Sequence, residues 1–236
     1  MDIIARIHTD FPTKFGVPRQ SGLVPELKAR IVFEPSYRET AALRGLEGFD
    51  FIWLIWGFSA NDTPEVTGEG DAEWATVRPP RLGGNTRMGV WATRSPFRPN
   101  GLALSSVKIE RIELDTPEGP VITVSGADLM DGTPIYDIKP YITFTDSHPE
   151  ARSGYVDTHV KPTLSVDFPY SLLSLLPADK RHAAIGVLEQ DPRPSYQTDP
   201  ERIYGIAFAG FDIRFSVDAE LHATVVDVVR LPSEIS

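Results

Sequence analysis

Leu102-Ala103-Leu104-Ser105-Ser106-Val107-Lys108-Ile109-Glu110-Arg111-Ile112-Glu113-Leu114 places apolar side chains at the two-residue spacing of a pleated strand. Further apolar runs of strand length stand at residues 3–7, 52–58, 88–93 and 121–124. Short Gly- and Pro-rich connections separate them. In Pro79-Pro80-Arg81-Leu82-Gly83-Gly84-Asn85, proline fixes φ and the glycine pair admits positive φ. Only residues 37–43 read as a short helix in this half, with Ser36 to cap its start and Gly45 to end it. Strands without crossover helices predict a mainly β fold, closed as a barrel or stacked as a sandwich, over a doubly wound sheet.

The pattern changes after Tyr141. Residues 146–170 are polar, carry Pro149, Gly154 and Pro162 with His148 and His159, and read as a link between a first unit, 1–145, and a second, 171–236. In the second unit Pro177 suits a first helical turn, and Ala183, Ala184, Val187 and Leu188 follow at helical spacing. That helix is expected to stop at Asp191-Pro192. Residues 203–208, 211–217 and 221–231 return to strand patterning, with Gly210 and Asp218 at turns. The expectation is a small α+β unit appended to the β unit.

With 236 residues, 41% apolar and 24% charged, the chain has the composition of a globular protein able to bury a core. No apolar run approaches membrane-spanning length, the longest being residues 51–58, and a cytoplasmic protein is expected. Without cysteine there is no disulfide frame, thiolate metal site or Cys nucleophile. A formal charge of −10 argues against nucleic-acid binding through overall charge. Its distribution alters that reading: residues 75–109 hold no Asp or Glu, yet include Arg78, Arg81, Arg87, Arg94, Arg98 and Lys108. A basic face on an acidic protein suits a specific anionic ligand.

The chemistry-bearing stretches are three loops. Thr76-Val77-Arg78-Pro79-Pro80-Arg81-Leu82-Gly83-Gly84-Asn85, with Gly89 to Asn100 behind it, sets guanidinium groups on a proline-stiffened frame, partly preorganised for carboxylate or phosphate. Lys14-Phe15-Gly16-Val17-Pro18-Arg19-Gln20-Ser21-Gly22 adds an arginine and an amide that both donates and accepts. Asp128-Leu129-Met130-Asp131-Gly132-Thr133-Pro134 offers carboxylates for an ammonium or ribose hydroxyls, although Asp before Gly also makes ordinary turns. No P-loop, Rossmann glycine pattern or GxSxG elbow occurs, and His8, His148, His159, His182 and His222 lack metal-ligand spacing. No metal is expected.

Taken together these stretches resemble the TsaA-like, TrmO-type family of S-adenosylmethionine-dependent tRNA methyltransferases. The resemblance runs through Lys14 to Gln20, Leu46-Glu47-Gly48-Phe49 with Trp53, Thr76 to Asn100, Asp128 to Tyr141 and Gln190-Asp191-Pro192-Arg193-Pro194-Ser195-Tyr196. It implies a single-sheet β-barrel binding S-adenosylmethionine and methylating N6 of threonylcarbamoyladenosine at position 37, next to the anticodon. It also implies a homodimer. The implied cofactor contacts are Pro18, Arg19, Gln20, Phe58, Ser59, Arg94, Leu104, Asp128, Leu129, Met130 and Asp131. For the tRNA anticodon stem-loop the expected contacts are Arg78, Arg81 and Arg98, with Asp191, Arg193 on phosphate or carboxylate, and Tyr196 stacking a base. From the residues alone, a methyltransferase of a small metabolite and a non-catalytic RNA-binding module stay open.

Overall fold

The computed structural model describes residues 1–61, 73–194, 197 and 199–232. In chain order its strands are β1 (Ala5–His8), β2 (Lys28–Phe33), β3 (Phe51–Gly57), β4 (Thr76–Val77), β5 (Met88–Gly89), β6 (Leu102–Glu113), β7 (Val121–Ser125), β8 (Thr133–Pro140), β9 (Ser165–Asp167), β10 (Tyr204–Phe208), β11 (Phe211–Val217) and β12 (His222–Arg230). The helices are α1 (Thr143–Asp146), α2 (Tyr155–Thr158), α3 (Tyr170–Leu173) and α4 (Arg181–Glu189).

Six antiparallel strands close into a barrel in the order β1-β2-β7-β6-β3-β8, as the strand-rich pattern predicts. Alternation supplies its core: Ala5 and Ile7, Ala29 and Ile31, Ile52 and Leu54, and Val107 point inward while their neighbours face out. The alternation of β6 slips between Ile109 and Arg111, where its register against β7 shifts, so Ile109 faces Val124 and Arg111 faces Thr123. Gly57 ends β3 beneath Tyr136. A Cβ there would lie 2.6 Å from the Tyr136 hydroxyl oxygen and 2.8 Å from its ring. Gly57→Ala is therefore expected to destabilise the fold by about 1–3 kcal/mol through overpacking, read as a lower urea midpoint at unchanged slope.

The first half departs from expectation in three places. Residues 88–93 do not form one strand: β5 has only two residues, paired with β4, and the chain then turns through a 3-10 helix at Val90–Ala92. Val90 is buried but Trp91 is 68% exposed, so no continuous apolar face remains. The helix expected at 37–43 is two separate 3-10 turns, Pro35–Tyr37 and Thr40–Leu43, and Glu39 rather than Ser36 supplies a capping side chain, to Ala41 N. Finally, Thr133 and Pro134 already belong to β8, the turn having closed at Gly132 with φ 72°.

The second unit is a four-stranded sheet ordered β10-β11-β12-β9, with β9 parallel to β12 and α4 against it. The helix and the turns at Gly210 and Asp218 stand where the pattern places them. β9 comes from inside the stretch expected to be only a link. The core of this unit joins Leu188, Ile206, Phe208, Ile213 and Phe215 to Phe11, Val24 and Leu27 from near the N-terminus. Chain position and core membership thus divide the protein differently.

Candidate functional site

At one end of the barrel, β3, β6 and the loop after β7 carry a directed chain of hydrogen bonds. Trp56 Nε1 donates to Ser105 Oγ at 2.9 Å, and Ser105 Oγ donates to Asp128 Oδ1 at 2.6 Å. An indole nitrogen only donates. The direction is therefore fixed, and Asp128 is the terminal acceptor. Burial raises the Asp128 carboxyl above the ordinary carboxylate value, opposed by the Ser105 hydrogen bond and the Arg94 charge. Arg94 also donates to Gln20 Oε1, and the Gln20 amide nitrogen donates to the Arg19 carbonyl. Pro18, next to Arg19, is buried. Residues from all three sequence loops thus meet in one place.

Leu104, next to Ser105 in β6, is 53% exposed and lies on the outer face of the strand, opposite the inward Ser105 side chain. Phe58 packs edge-on against Trp56, with ring centroids 4.7 Å apart, and its backbone N donates to Gly101 O at 2.9 Å. Ser59 is exposed beyond it, and Met130 is half-buried. Leu129 lies in the barrel core at 1% exposure, so its side chain contributes packing. Asp131 is engaged elsewhere: its carboxylate accepts from Thr9 N at 2.9 Å and stands 3.3 Å from His8 Nδ1, tying β1 to the turn.

The arginines of the acid-free window divide by partner. Arg87 donates to Thr76 Oγ1 at 2.6 Å and Arg98 to Thr93 O at 3.1 Å, so both hold their own loop together. Arg98 also lies 5.8 Å from the Trp91 ring centroid, and Trp91 leans on Trp74 at 5.7 Å. Arg81 reaches the His159 carbonyl at 3.1 Å, while Arg78 is exposed.

The turn after α4 gives a different result from the expected surface contact. Asp191 and Arg193 are 6% and 8% exposed. Arg193 Nε donates to Asp191 Oδ1 at 2.8 Å and its terminal nitrogen to Oδ2 at 3.3 Å, a two-point fork. Lys161 Nζ closes on Asp191 Oδ2 at 2.8 Å and on its carbonyl at 3.0 Å. Burial works against the Asp191 charge, but the hydrogen bonds from Arg193 and Lys161 outweigh it and hold the carboxyl below its ordinary value. Desolvation lowers the Lys161 pKa, against the Asp191 hydrogen bond. Arg193 is thus a brace of its own turn rather than a free phosphate ligand. Tyr196 lies outside the described residues.

Arg19 joins the two clusters. A terminal nitrogen of its guanidinium donates to the Arg193 carbonyl at 3.3 Å. Although its accessible surface is that of an exposed residue, partial desolvation lowers its pKa, the Asp191 carboxylate opposes this, and Arg81 adds repulsion.

Comparison with known proteins decides the family. The tRNA-methyltransferase O N-terminal domain matches residues 6–147, and the TrmO C-terminal domain matches residues 161–231. The chain belongs to the tRNA-methyltransferase O family. It is 37% identical over 223 residues to the tRNA (adenine(37)-N6)-methyltransferase of Escherichia coli, covering 91% of each chain. It is 34% identical to a putative S-adenosylmethionine-dependent methyltransferase, RcsF, of Pseudomonas aeruginosa, covering 95% of each. The crystal structure of TrmO from P. aeruginosa superposes with a TM-score of 0.75 at 29% identity, covering 97% of this chain and 95% of that one. Within this TrmO-family fold, three residues that sequence reasoning passed over hold the site together: Trp56, Ser105 and Lys161. Ser105 alone left a trace, as a serine at an inward position of an apolar strand.

Proposed function

We propose that this protein transfers a methyl group from S-adenosylmethionine to N6 of threonylcarbamoyladenosine at position 37 of tRNA, in the cytoplasm and as a homodimer. The observation that carries the reading is the meeting of Asp128, Gln20 and Arg94 in one cluster. Family membership and the named activity of the E. coli relative support the choice of tRNA adenosine as acceptor. The homodimer rests on family resemblance, and among the described residues no helix is long and apolar enough to cross a membrane.

The residues fit the chemistry of the donor. S-adenosylmethionine, when bound, supplies a methyl group activated by a sulfonium cation. Asp128, oriented by Ser105, provides the anionic group for a cationic end of the donor. Arg19, Arg94 and Gln20 provide donors for its carboxylate, and Phe58, packed on Trp56, gives an apolar wall for its adenine. Methyl transfer is governed by alignment of acceptor nitrogen, methyl and sulfur, so holding these side chains rigidly and excluding water is the main work of the site. The exposed cation of Arg78 and the Arg81 side chain then face an RNA backbone that the net acidity of the protein would otherwise repel.

The test is incubation with methyl-labelled S-adenosylmethionine and tRNA with or without the threonylcarbamoyl group, followed by digestion and identification of the nucleoside. Label is expected only in the modified nucleoside. Label in a small metabolite without tRNA, or tRNA binding with no donor affinity, overturns the proposal. Arg78→Ala is expected to weaken tRNA binding several-fold and lower its logarithmic salt slope by about 1. Its donor affinity should stay unchanged.

A further inference from the structure

The loop of residues 14–22 belongs by sequence position to the barrel unit, yet many of its supports come from the C-terminal unit. Phe11, Val24 and Leu27, which bracket the loop, are buried in the C-terminal core. The Phe11 ring stands 5.2 Å from that of Phe208. Asp10 accepts from Lys180 Nζ at 2.7 Å through its carboxylate and from Ala209 N at 2.9 Å through its carbonyl. Gly16, at φ +96°, sits so close to β10 that an added Cβ would lie 3.3 Å from Ile206. Gly186 of α4 leaves room for Val24, where a Cβ would come within 2.8 Å. At the tip, Arg19 is tied to the Arg193 carbonyl, and Arg193 is locked by Asp191, itself held by Lys161. From the barrel side the loop receives the Gly22 N to Gly126 O bond at 2.8 Å, the Arg94 contact to Gln20, a Ser21 backbone hydrogen bond to the Asp128 carboxylate, and the Lys14 Nζ bond to Ala60 O at 3.3 Å.

We propose that the C-terminal unit sets the donor-binding loop of the barrel, with Lys161 and Asp191 as positioning residues that act through the Arg193 carbonyl on Arg19. The proposal rests on the reading that Arg19 and Gln20 contact the methyl donor. The brace fixes the carbonyl in space: a bidentate fork and a half-buried ammonium on one carboxylate leave the Asp191 to Arg193 turn a single arrangement. A guanidinium on that carbonyl is restricted before the donor arrives, so less conformational freedom is lost on binding. Asp191 holds a left-handed conformation, φ 48°, without being glycine, and only surrounding contacts sustain such a backbone. The C-terminal unit therefore contributes to donor affinity with no RNA present.

The test uses the full-length protein. Lys161→Met keeps the aliphatic stem and removes the ammonium. S-adenosylmethionine affinity is measured by calorimetry without tRNA, tRNA affinity separately, and the two KM values with kcat. The expected result is a donor Kd and donor KM about 5- to 10-fold higher, the effect of one weakened charge-assisted hydrogen bond. The KM for tRNA and kcat should stay within about 2-fold, and Lys161→Arg should restore the donor Kd. Asp191→Asn, which preserves shape, gives the same readout from the other side of the brace should Lys161→Met fail to fold. Unchanged donor affinity in folded variants, with or without loss of tRNA binding, overturns the proposal. A wild-type protein that does not bind S-adenosylmethionine instead overturns the reading on which it rests.

Discussion

Asp128→Asn lowers the efficiency of methyl transfer about 100-fold, chiefly through the donor KM, while the variant melts no earlier than wild type near pH 8. The two halves of this expectation come from the same environment. Ser105, aligned by Trp56, can donate its hydrogen to an asparagine oxygen as well as to a carboxylate, so the local geometry survives. What asparagine lacks is the charge. A charge-assisted interaction with a cationic ligand in a recessed site contributes about 3 kcal/mol, which is the stated factor. The sign for stability is opposite. The carboxyl of Asp128 has a folded-state pKa above the ordinary value of 3.8, because burial disfavours its ionised form. Such a group contributes stability at pH values below the unfolded pKa, and this contribution is lost as pH rises through the folded pKa. At neutral pH the ionised side chain therefore burdens the empty protein, and asparagine removes the burden. The difference in melting temperature between variant and wild type should shrink as pH falls from about 8 toward the carboxylate range. Thermal melts across that range, paired with donor titrations, read both effects. A normal donor KM in the variant removes Asp128 from the donor site.

The barrel was legible because its strands announce themselves by composition. Residues 52–58 and 121–124 are apolar but for Gly57 and Thr123, and 102–114 alternates over a length that no short loop sustains. β2 was not, since Lys28-Ala29-Arg30-Ile31-Val32-Phe33 buries only Ala29, Ile31 and Phe33, and its first buried position is an alanine between two cations, which carries little hydropathic signal. Residues 88–93 misled for the opposite reason. Their apolar side chains do not share a face, and a strand exists only where a partner pairs with it. At the site, Arg19, Gln20, Arg94 and Asp128 stood out as loop residues with no folding role. Ser105 and Trp56 did not, because their link depends on β3 and β6 pairing Leu54 with Ser105 and Trp56 with Ala103. The burial of Arg193 was likewise hidden. A sequence displays a charged Asp-Pro-Arg-Pro turn, and only the fork from Arg193 to Asp191, itself held by Lys161, turns that charge inward.

Asp191→Ala should lower the unfolding free energy by about 3–5 kcal/mol, the range found when one partner of a buried ion pair is removed. In a chain of this size that corresponds to roughly 10 °C in melting temperature. The variant leaves the charges of Arg193, whose side chain is 9% exposed, and Lys161, whose side chain is 27% exposed, without their shared counter-charge. It also strips the turn of the contacts that hold its left-handed residue, although alanine relieves none of that strain. The pH dependence has the opposite sign to that of Asp128. The Asp191 carboxyl is held below its ordinary value of 3.8 in the folded state. Its contribution is therefore fully present above the unfolded pKa and is lost as pH falls through the folded one. Wild type and variant should differ most near neutrality and converge in acid below about pH 4. This outcome separates a brace from a phosphate contact. A surface arginine on RNA, together with its acidic neighbour, would leave melting unchanged and register in the salt slope of tRNA binding. If Asp191→Ala melts within about one degree of wild type and Arg193→Ala flattens that slope, the turn faces RNA and the buried fork between Asp191 and Arg193 opens when tRNA binds.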